Sequence, residues 1–218
     1  MPISKPLSQE STVAGTPTAE IDLRGDLGGF FGELVQAAIE ERRVEATEAA
    51  TAYVTALLAD YARPGALNRD TLERPFTLLL AEAEESAGGE RFERLRALGD
   101  GVLYVRGLYW EHLETRGVAL RYVSSVGARA YDGAAHMLRR SGSGSGSATD
   151  VFGELAERFD AFVELFGAVA DRLMARGVSS NGGMLRLYER WLRTGSSALA
   201  GALAERGVLP VRAFAGVH

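Results

Sequence analysis

Cysteine is absent from this chain of 218 residues. Its absence excludes disulfide bonds, thiolate nucleophiles, iron–sulfur clusters and cysteine-ligated zinc. Lysine is nearly absent too, since Lys5 is the only one and the other basic residues are arginines. The chemistry of any functional site must therefore come from other residue types.

The sequence motifs of several common enzyme classes are also missing. There is no phosphate-binding G-x-x-x-x-G-K-[ST] loop, no G-x-G-x-x-G after a strand pattern and no G-x-S-x-G turn. The chain has three histidines, His112, His136 and His218. Neither His112 nor His136 follows a glutamate by three residues, which argues against a di-iron helical bundle. These absences favour a non-enzymatic role. They identify no cofactor, and we expect none.

No apolar run approaches the roughly 20 residues that a membrane-spanning helix needs, and residues 1–19 are polar without a secretory pattern. We therefore expect a bacterial, cytoplasmic protein without a membrane span. The net charge of −5 disfavours a nucleic-acid partner. A helix-turn-helix reading of the arginine-rich "RFERLRALGD" is the weakest of the functional hypotheses.

Helical periodicity begins after a Ser-, Thr- and Pro-rich tail at 1–19, for which we expect disorder. Apolar residues then recur at steps of three and four. They predict a first helix near 27–39, a second that follows Thr47 and stops before Pro64, and a third over 75–87. A fourth runs from about Glu90 into the stretch at 98–112, followed by a short segment at 111–116 and a fifth helix at 118–140. Thr47 is the expected cap of the second helix, and Pro75 is the expected first residue of the third.

Phenylalanines dominate the next helix, predicted over about 27 residues from Thr149 or Asp150 to Gly177. A heptad stripe runs along it: Phe152, Leu155, Phe159, Phe162, Phe166, Val169 and Leu173. The stripe fits a central core helix better than a dimer seam. A last helix over 183–206 is expected to bury Leu185, Tyr188, Trp191, Leu192, Leu199 and Leu203. "SGSGSGS" at 141–147 is typical of a flexible linker, natural or engineered, and 211–218 forms a tail.

"LGDGVLYVRGLYWEH", residues 98–112, interrupts a helical pattern with glycines. A glycine inside a helix costs on the order of 1 kcal/mol relative to alanine, so a compensating close approach of another helix is expected at Gly101 and Gly107. An unpaired buried carboxylate is costly, so Asp100 is expected to pair with Arg or Tyr, or to cap a helix.

Polar and aromatic residues on the predicted fourth and fifth helices are the candidate ligand-binding residues. They are Asp100, Tyr104, Tyr109, Trp110, His112, Tyr122, Arg129, Tyr131, Asp132 and His136. Asp132 and His136 are one helical turn apart, and together with His112 they are weak candidates for metal ligands. An Asp–His pair without function, either at a helix surface or as a satisfied buried polar pair, is the stronger interpretation of these two residues.

The stretch from Leu98 to Ala135 resembles a family of uncharacterised all-helical proteobacterial proteins with an L-G-D…G…G-x-x-A-Y pattern. The residues that carry the resemblance are Leu98, Gly99, Asp100, Gly107, Tyr109, Trp110, Leu113, Val118, Tyr122, Gly127, Ala130 and Tyr131. It extends from about Phe30 to Leu209 and implies an all-helical fold without implying a function.

Together these patterns predict an all-α bundle of about six to eight helices in a single domain at 20–210. The leading functional hypothesis is a protein-interaction or regulatory bundle that binds a protein partner or itself as a homodimer. The alternative is a small apolar ligand, a metal or a haem bound between the fourth and fifth predicted helices.

Overall fold

The structure, a computed structural model, describes residues 23–63, 65, 74–142, 150–177 and 180–211. This part of the chain is all-helical and contains no strand, as the periodicity predicts. The predicted tails at 1–19 and 212–218, the linker core at 143–147 and the candidate cap Thr149 lie outside the described residues.

Ten helices make up the described part of the chain. In chain order they are α1 (Leu23–Arg42), α2 (Glu48–Tyr61), α3 (Phe76–Glu85), α4 (Gly88–Leu108), α5 (Trp110–Thr115), α6 (Leu120–Arg140), α7 (Val151–Glu157), α8 (Phe159–Gly177), α9 (Asn181–Thr194) and α10 (Ser197–Glu205). The number exceeds the expected six to eight because two helices predicted to be continuous are each divided in two.

The first division lies within the phenylalanine-rich stretch, at Arg158. The Arg158 guanidinium donates a hydrogen bond to the carbonyl oxygen of Glu45 at 2.6 Å. The backbone leaves helical geometry at the same residue, with φ −111° and ψ 28°. Asp150 directly precedes α7, and its carboxylate accepts a hydrogen bond from the Gly153 amide. The side chain of Asp150 is therefore the cap.

The second division separates α9 from α10 at Gly195. This residue has φ +67°, a left-handed conformation that glycine adopts without steric penalty and that ends a helix. The prediction of one helix over 183–206 is therefore wrong.

Thr47 caps α2 as predicted, because its hydroxyl accepts a hydrogen bond from the Ala50 amide. Pro75 precedes α3 instead of being its first residue.

α4 is the centre of the larger core. It packs against α3, α6 and α8, while α1 packs against α2 and α8. The phenylalanine stripe lies in this core, since Phe162 and Phe166 are fully buried within one chain. The core interpretation of the stripe is therefore confirmed.

A smaller apolar cluster joins α9 and α10 to the end of α8. Leu187, Trp191, Leu199, Ala202 and Leu203 form it, with Met174 and Ala175 of α8 packed against it. This cluster determines which face of α9 is turned inward, and it buries Leu187. Leu185 and Leu192, predicted to face inward, are instead 59% and 43% exposed.

Candidate functional site

Asp100 lies in the middle of α4 and is 3% exposed. The hydroxyl groups of Tyr53 and Tyr131 donate hydrogen bonds to its Oδ1, at 2.6 and 2.8 Å. Arg96, one turn earlier, donates to Oδ2 at 3.2 Å. The expected Arg and Tyr pairing is therefore correct. Asp100 connects α4 to α2 and α6 and does not cap a helix.

Burial controls the ionisation of this cluster. Desolvation raises the pKa of Asp100 above its ordinary value, although the two tyrosine hydroxyls and Arg96 act in the opposite direction. Burial and the nearby Asp100 carboxylate likewise raise the pKa of Tyr131. Because all three donors are already used within the chain, we assign Asp100 a structural role.

Gly99 provides the space that allows the ring of Tyr131 to pack against α4 next to Asp100. A Cβ atom at Gly99 would lie 2.6 Å from a ring carbon of Tyr131. Gly107 similarly permits the approach of the phenylalanine-rich helix, because a Cβ there would lie 2.3 Å from the Cβ of Phe166. The close approach predicted at Gly107 is therefore confirmed, and Gly101 is buried in the same helix.

The other candidate residues fall into three separate places. Tyr104, Tyr109 and His112 line a mostly apolar cleft of about 490 Å³ together with Tyr61. The rings of Tyr61 and Tyr104 meet edge to face with centroids 4.8 Å apart. Burial, together with Tyr109 nearby, raises the pKa of the Tyr104 hydroxyl. This cleft lies between the C-terminal ends of α2 and α4 and the short helix α5.

Trp110 faces away from that cleft. The guanidinium of Arg193 lies over its indole ring, 4.2 Å from the ring centroid, and also pairs with Glu114. This arrangement fastens α9 to α5. Trp110 therefore does not share a site with Tyr104 and Tyr109.

Arg129, Asp132 and His136 lie on the exposed face of α6 and line an open groove beside the start of α4. Arg129 pairs with Glu84 at 2.9 Å, and Asp132 lies 3.8 Å from Arg139. Tyr122 is 42% exposed near the start of the same helix. No group of three potential metal ligands converges among the described residues, so His112, Asp132 and His136 do not form one metal site.

The feature that sequence reasoning missed is an apolar surface at the C-terminal end of the described chain. Leu185 and Leu192 of α9, together with Leu209 and Val211, form what we call the C-terminal surface. Leu209 and Val211 are 80% and 66% exposed. The Tyr188 hydroxyl donates to the Val211 carbonyl oxygen at 3.4 Å, which holds residues 208–211 beside α9. The sequence suggested no such surface because both leucines fit an inward-facing pattern.

Two charged residues flank this surface on α9. Arg186 and Glu189 are exposed, and neither makes an ion pair or a side-chain hydrogen bond within the described part of the chain. Successive residues of a helix are rotated by about 100°, which places both Arg186 and Glu189 on the same side of the line that joins Leu185 and Leu192. An apolar stripe with adjacent charges of both signs is typical of a helix–helix interface.

Comparison of this chain with protein-family profiles, curated proteins and solved structures gives no match in any of the three. The resemblance to a proteobacterial family therefore stays a prediction. Within the described residues, no helix combines the length and hydropathy needed to cross a lipid bilayer.

Proposed function

We propose that this chain is a non-enzymatic interaction protein that self-associates through the C-terminal surface. The observation that carries the proposal is the concentration of exposed large apolar side chains in residues 185–211, where Tyr188 also joins Val211 to α9. Of the seven large hydrophobic side chains that are exposed in the described residues, four belong to this surface. Contiguous exposed apolar groups on a folded domain mark interaction sites.

The charge pattern of α9 favours a second copy of the chain as the occupant. A two-fold axis across an antiparallel pair of α9 helices brings Leu185 of one copy to Leu192 of the other. The same axis brings Glu189 of each copy near Arg186 of its partner copy, since equal sides of the helices meet. A second copy thus matches the apolar line of α9 to itself and places an arginine of opposite charge within reach of each Glu189.

We expect a weak dimer, with a dissociation constant on the order of 10 µM, because one helix face buries less than a standard interface. Glu189→Arg places four positive charges at the interface of two copies and should weaken the dimer about tenfold. Arg186→Glu should have a similar effect. The double variant restores opposite charges and should recover dimerisation. Sedimentation velocity over about a hundredfold range of concentration measures all four proteins.

Leu78→Glu is the matched control, since Leu78 is 47% exposed on α3 and does not belong to the C-terminal surface. It should leave the dimer intact, whereas Leu185→Glu should abolish it. A chain that stays monomeric throughout would refute self-association. If truncation after Val211 then produced a dimer, residues 212–218 of the same chain would be the occupant instead.

The cleft lined by Tyr61, Tyr104, Tyr109 and His112 supports a second candidate function, the binding of a small apolar ligand. Its volume of about 490 Å³ lies within the range of about 300–1,000 Å³ that is usual for small-molecule sites. Aromatic walls with few polar groups suit a planar apolar molecule.

This candidate is tested with anilinonaphthalene sulfonate, whose fluorescence rises in apolar sites. We expect Tyr109→Ala to weaken its binding about fivefold, because an aromatic contact contributes on the order of 1 kcal/mol. Tyr122→Ala, which removes an exposed tyrosine elsewhere, should leave binding unchanged. Equal effects of the two substitutions would exclude the cleft as the site.

A further inference from the structure

A second cleft, of about 350 Å³, is lined by residues of α1, α4, α5, α6, α8 and α9. Its lining includes three arginines, Arg42, Arg106 and Arg190, and two carboxylates, Glu164 and Asp171. Positive groups therefore outnumber negative groups by one in a chain that is acidic as a whole. The cleft does not overlap the one formed by Tyr104 and Tyr109.

Arg190 is the most deeply buried charged residue of this cleft after Asp171, at 5% exposure. Its Nε donates a hydrogen bond to Asp171 Oδ1 at 2.5 Å. Its Nη1 lies 4.0 Å from Glu111 Oε1. Its Nη2 is buried and has no hydrogen-bond partner within the described part of the chain. A buried guanidinium donor without an acceptor is costly, so an acceptor from outside the chain would stabilise it.

Arg106 supplies a second unused donor. It lies in the last turn of α4, and its Nε is buried without a hydrogen-bond partner among the described residues. Burial lowers the pKa of Arg106, although Asp160 and Glu114 oppose the shift. Arg42, at the end of α1, adds an exposed guanidinium to the same lining.

We infer that this cleft binds a small organic oxyanion, whose carboxylate or phosphate group is held by the guanidinium groups of Arg190 and Arg106. Guanidinium groups are well suited to both kinds of oxyanion because they donate charge-assisted hydrogen bonds in a fixed plane. Gly107 and Gly167 also line the cleft, where α4 and α8 approach each other. Arg190 lies on the inner face of α9, opposite Leu185, so this binding is independent of self-association.

Inorganic phosphate and benzoate are suitable probes for the two oxyanion classes. Each is titrated into the full chain by calorimetry. The tryptophan fluorescence, to which Trp110 in the lining of the cleft contributes along with Trp191, gives a second readout. We expect at least one probe to bind. We expect Arg106→Met to weaken that binding by about tenfold or more, because a charge-assisted hydrogen bond is lost. Arg106 is chosen because Arg190 is also needed to neutralise the buried Asp171.

Arg129→Met is the matched control, since it removes an exposed arginine from the opposite groove on α6 and should not change the affinity. Binding of phosphate alone assigns the site to phosphate esters, and binding of benzoate alone assigns it to carboxylates. Failure of both probes to bind overturns the inference. Equal affinities in Arg106→Met and the unaltered chain overturn it as well. Leu185→Glu should not alter either titration. A wrong proposal of self-association can therefore be distinguished from a wrong proposal of oxyanion binding.

Discussion

Gly107→Ala is expected to destabilise the protein by about 3 kcal/mol, at the upper end of the usual range for overpacking. The added Cβ would lie 2.3 Å from the Cβ of Phe166 and 3.4 Å from the carbonyl oxygen of Val163. A Cβ atom cannot rotate away, so relief requires α4 and α8 to separate. Because both helices carry the larger core, their separation loosens the contacts of Phe162 and Phe166 as well.

Gly201→Ala is the matched control for this substitution. Gly201 lies within α10, and a Cβ there meets no atom within 4 Å. Alanine should therefore stabilise α10 by about 0.5–1 kcal/mol, since glycine is a poor helix former. Urea unfolding followed by circular dichroism measures both variants. Equal effects of the two substitutions would show that α4 and α8 do not meet closely at Gly107.

Asp100→Ala is the second substitution with a large expected effect, a loss of about 3 kcal/mol. It removes the acceptor of two tyrosine hydroxyls, those of the half-buried Tyr53 and the fully buried Tyr131. Asp100→Asn keeps a side-chain oxygen at that place and should lose only about 1 kcal/mol. The exposed Asp132→Asn is the surface control, with an expected change within about 0.5 kcal/mol.

The stability difference between the unaltered chain and Asp100→Asn should depend on pH. Burial raises the folded-state pKa of Asp100 above the ordinary value of 3.8, so the folded protein holds this proton more tightly than the unfolded chain. The resulting stabilisation is fully present below pH 3.8 and is lost as the pH rises through the folded-state value. Asp100→Asn lacks this contribution at every pH.

Urea unfolding of both proteins at acidic and neutral pH measures this effect. The groups that face Asp100 are Arg96, Tyr53 and Tyr131, with Glu93 nearby, and they are the same in both proteins. We expect the advantage of the unaltered chain over Asp100→Asn to shrink from acidic to neutral pH. An advantage that grows in that direction would mean that Arg96 outweighs burial at Asp100.

Sequence patterns predicted the structure correctly where a local preference and the tertiary packing agree. The stripe from Phe152 to Leu173 predicted a core helix, because large side chains at steps of three and four can only be buried together on one face. Thr47 was recognisable as a cap because its hydroxyl needs only the amide three residues later. Asp100 was expected to pair with Arg or Tyr or to cap a helix, since an unpaired buried carboxylate is costly, and the first of these alternatives is correct.

Sequence patterns gave a wrong prediction where one helix offers two apolar faces, either of which could be buried. In α9, Leu185 and Leu192 form one apolar line and Leu187 and Trp191 form another, and the sequence does not rank them. The break at Gly195 and the contact with α8 place Leu187 inside and expose the other line. The candidate residues Tyr104, Trp110 and His136 were likewise grouped by nearness in sequence, whereas their side chains point to three different surfaces of the bundle.

By itself, the amino-acid sequence determined the all-helical class, the absence of cysteine chemistry, most helix ends and the burial of the phenylalanine stripe. These properties follow from local periodicity, capping and composition, which do not depend on distant residues. Only the tertiary structure decided that Tyr53 and Tyr131 are the partners of Asp100, which side of α9 is exposed, and that Arg106 and Arg190 share a cleft. Each of these depends on the placement of helices remote in the chain, and side-chain contacts of that kind leave no local pattern.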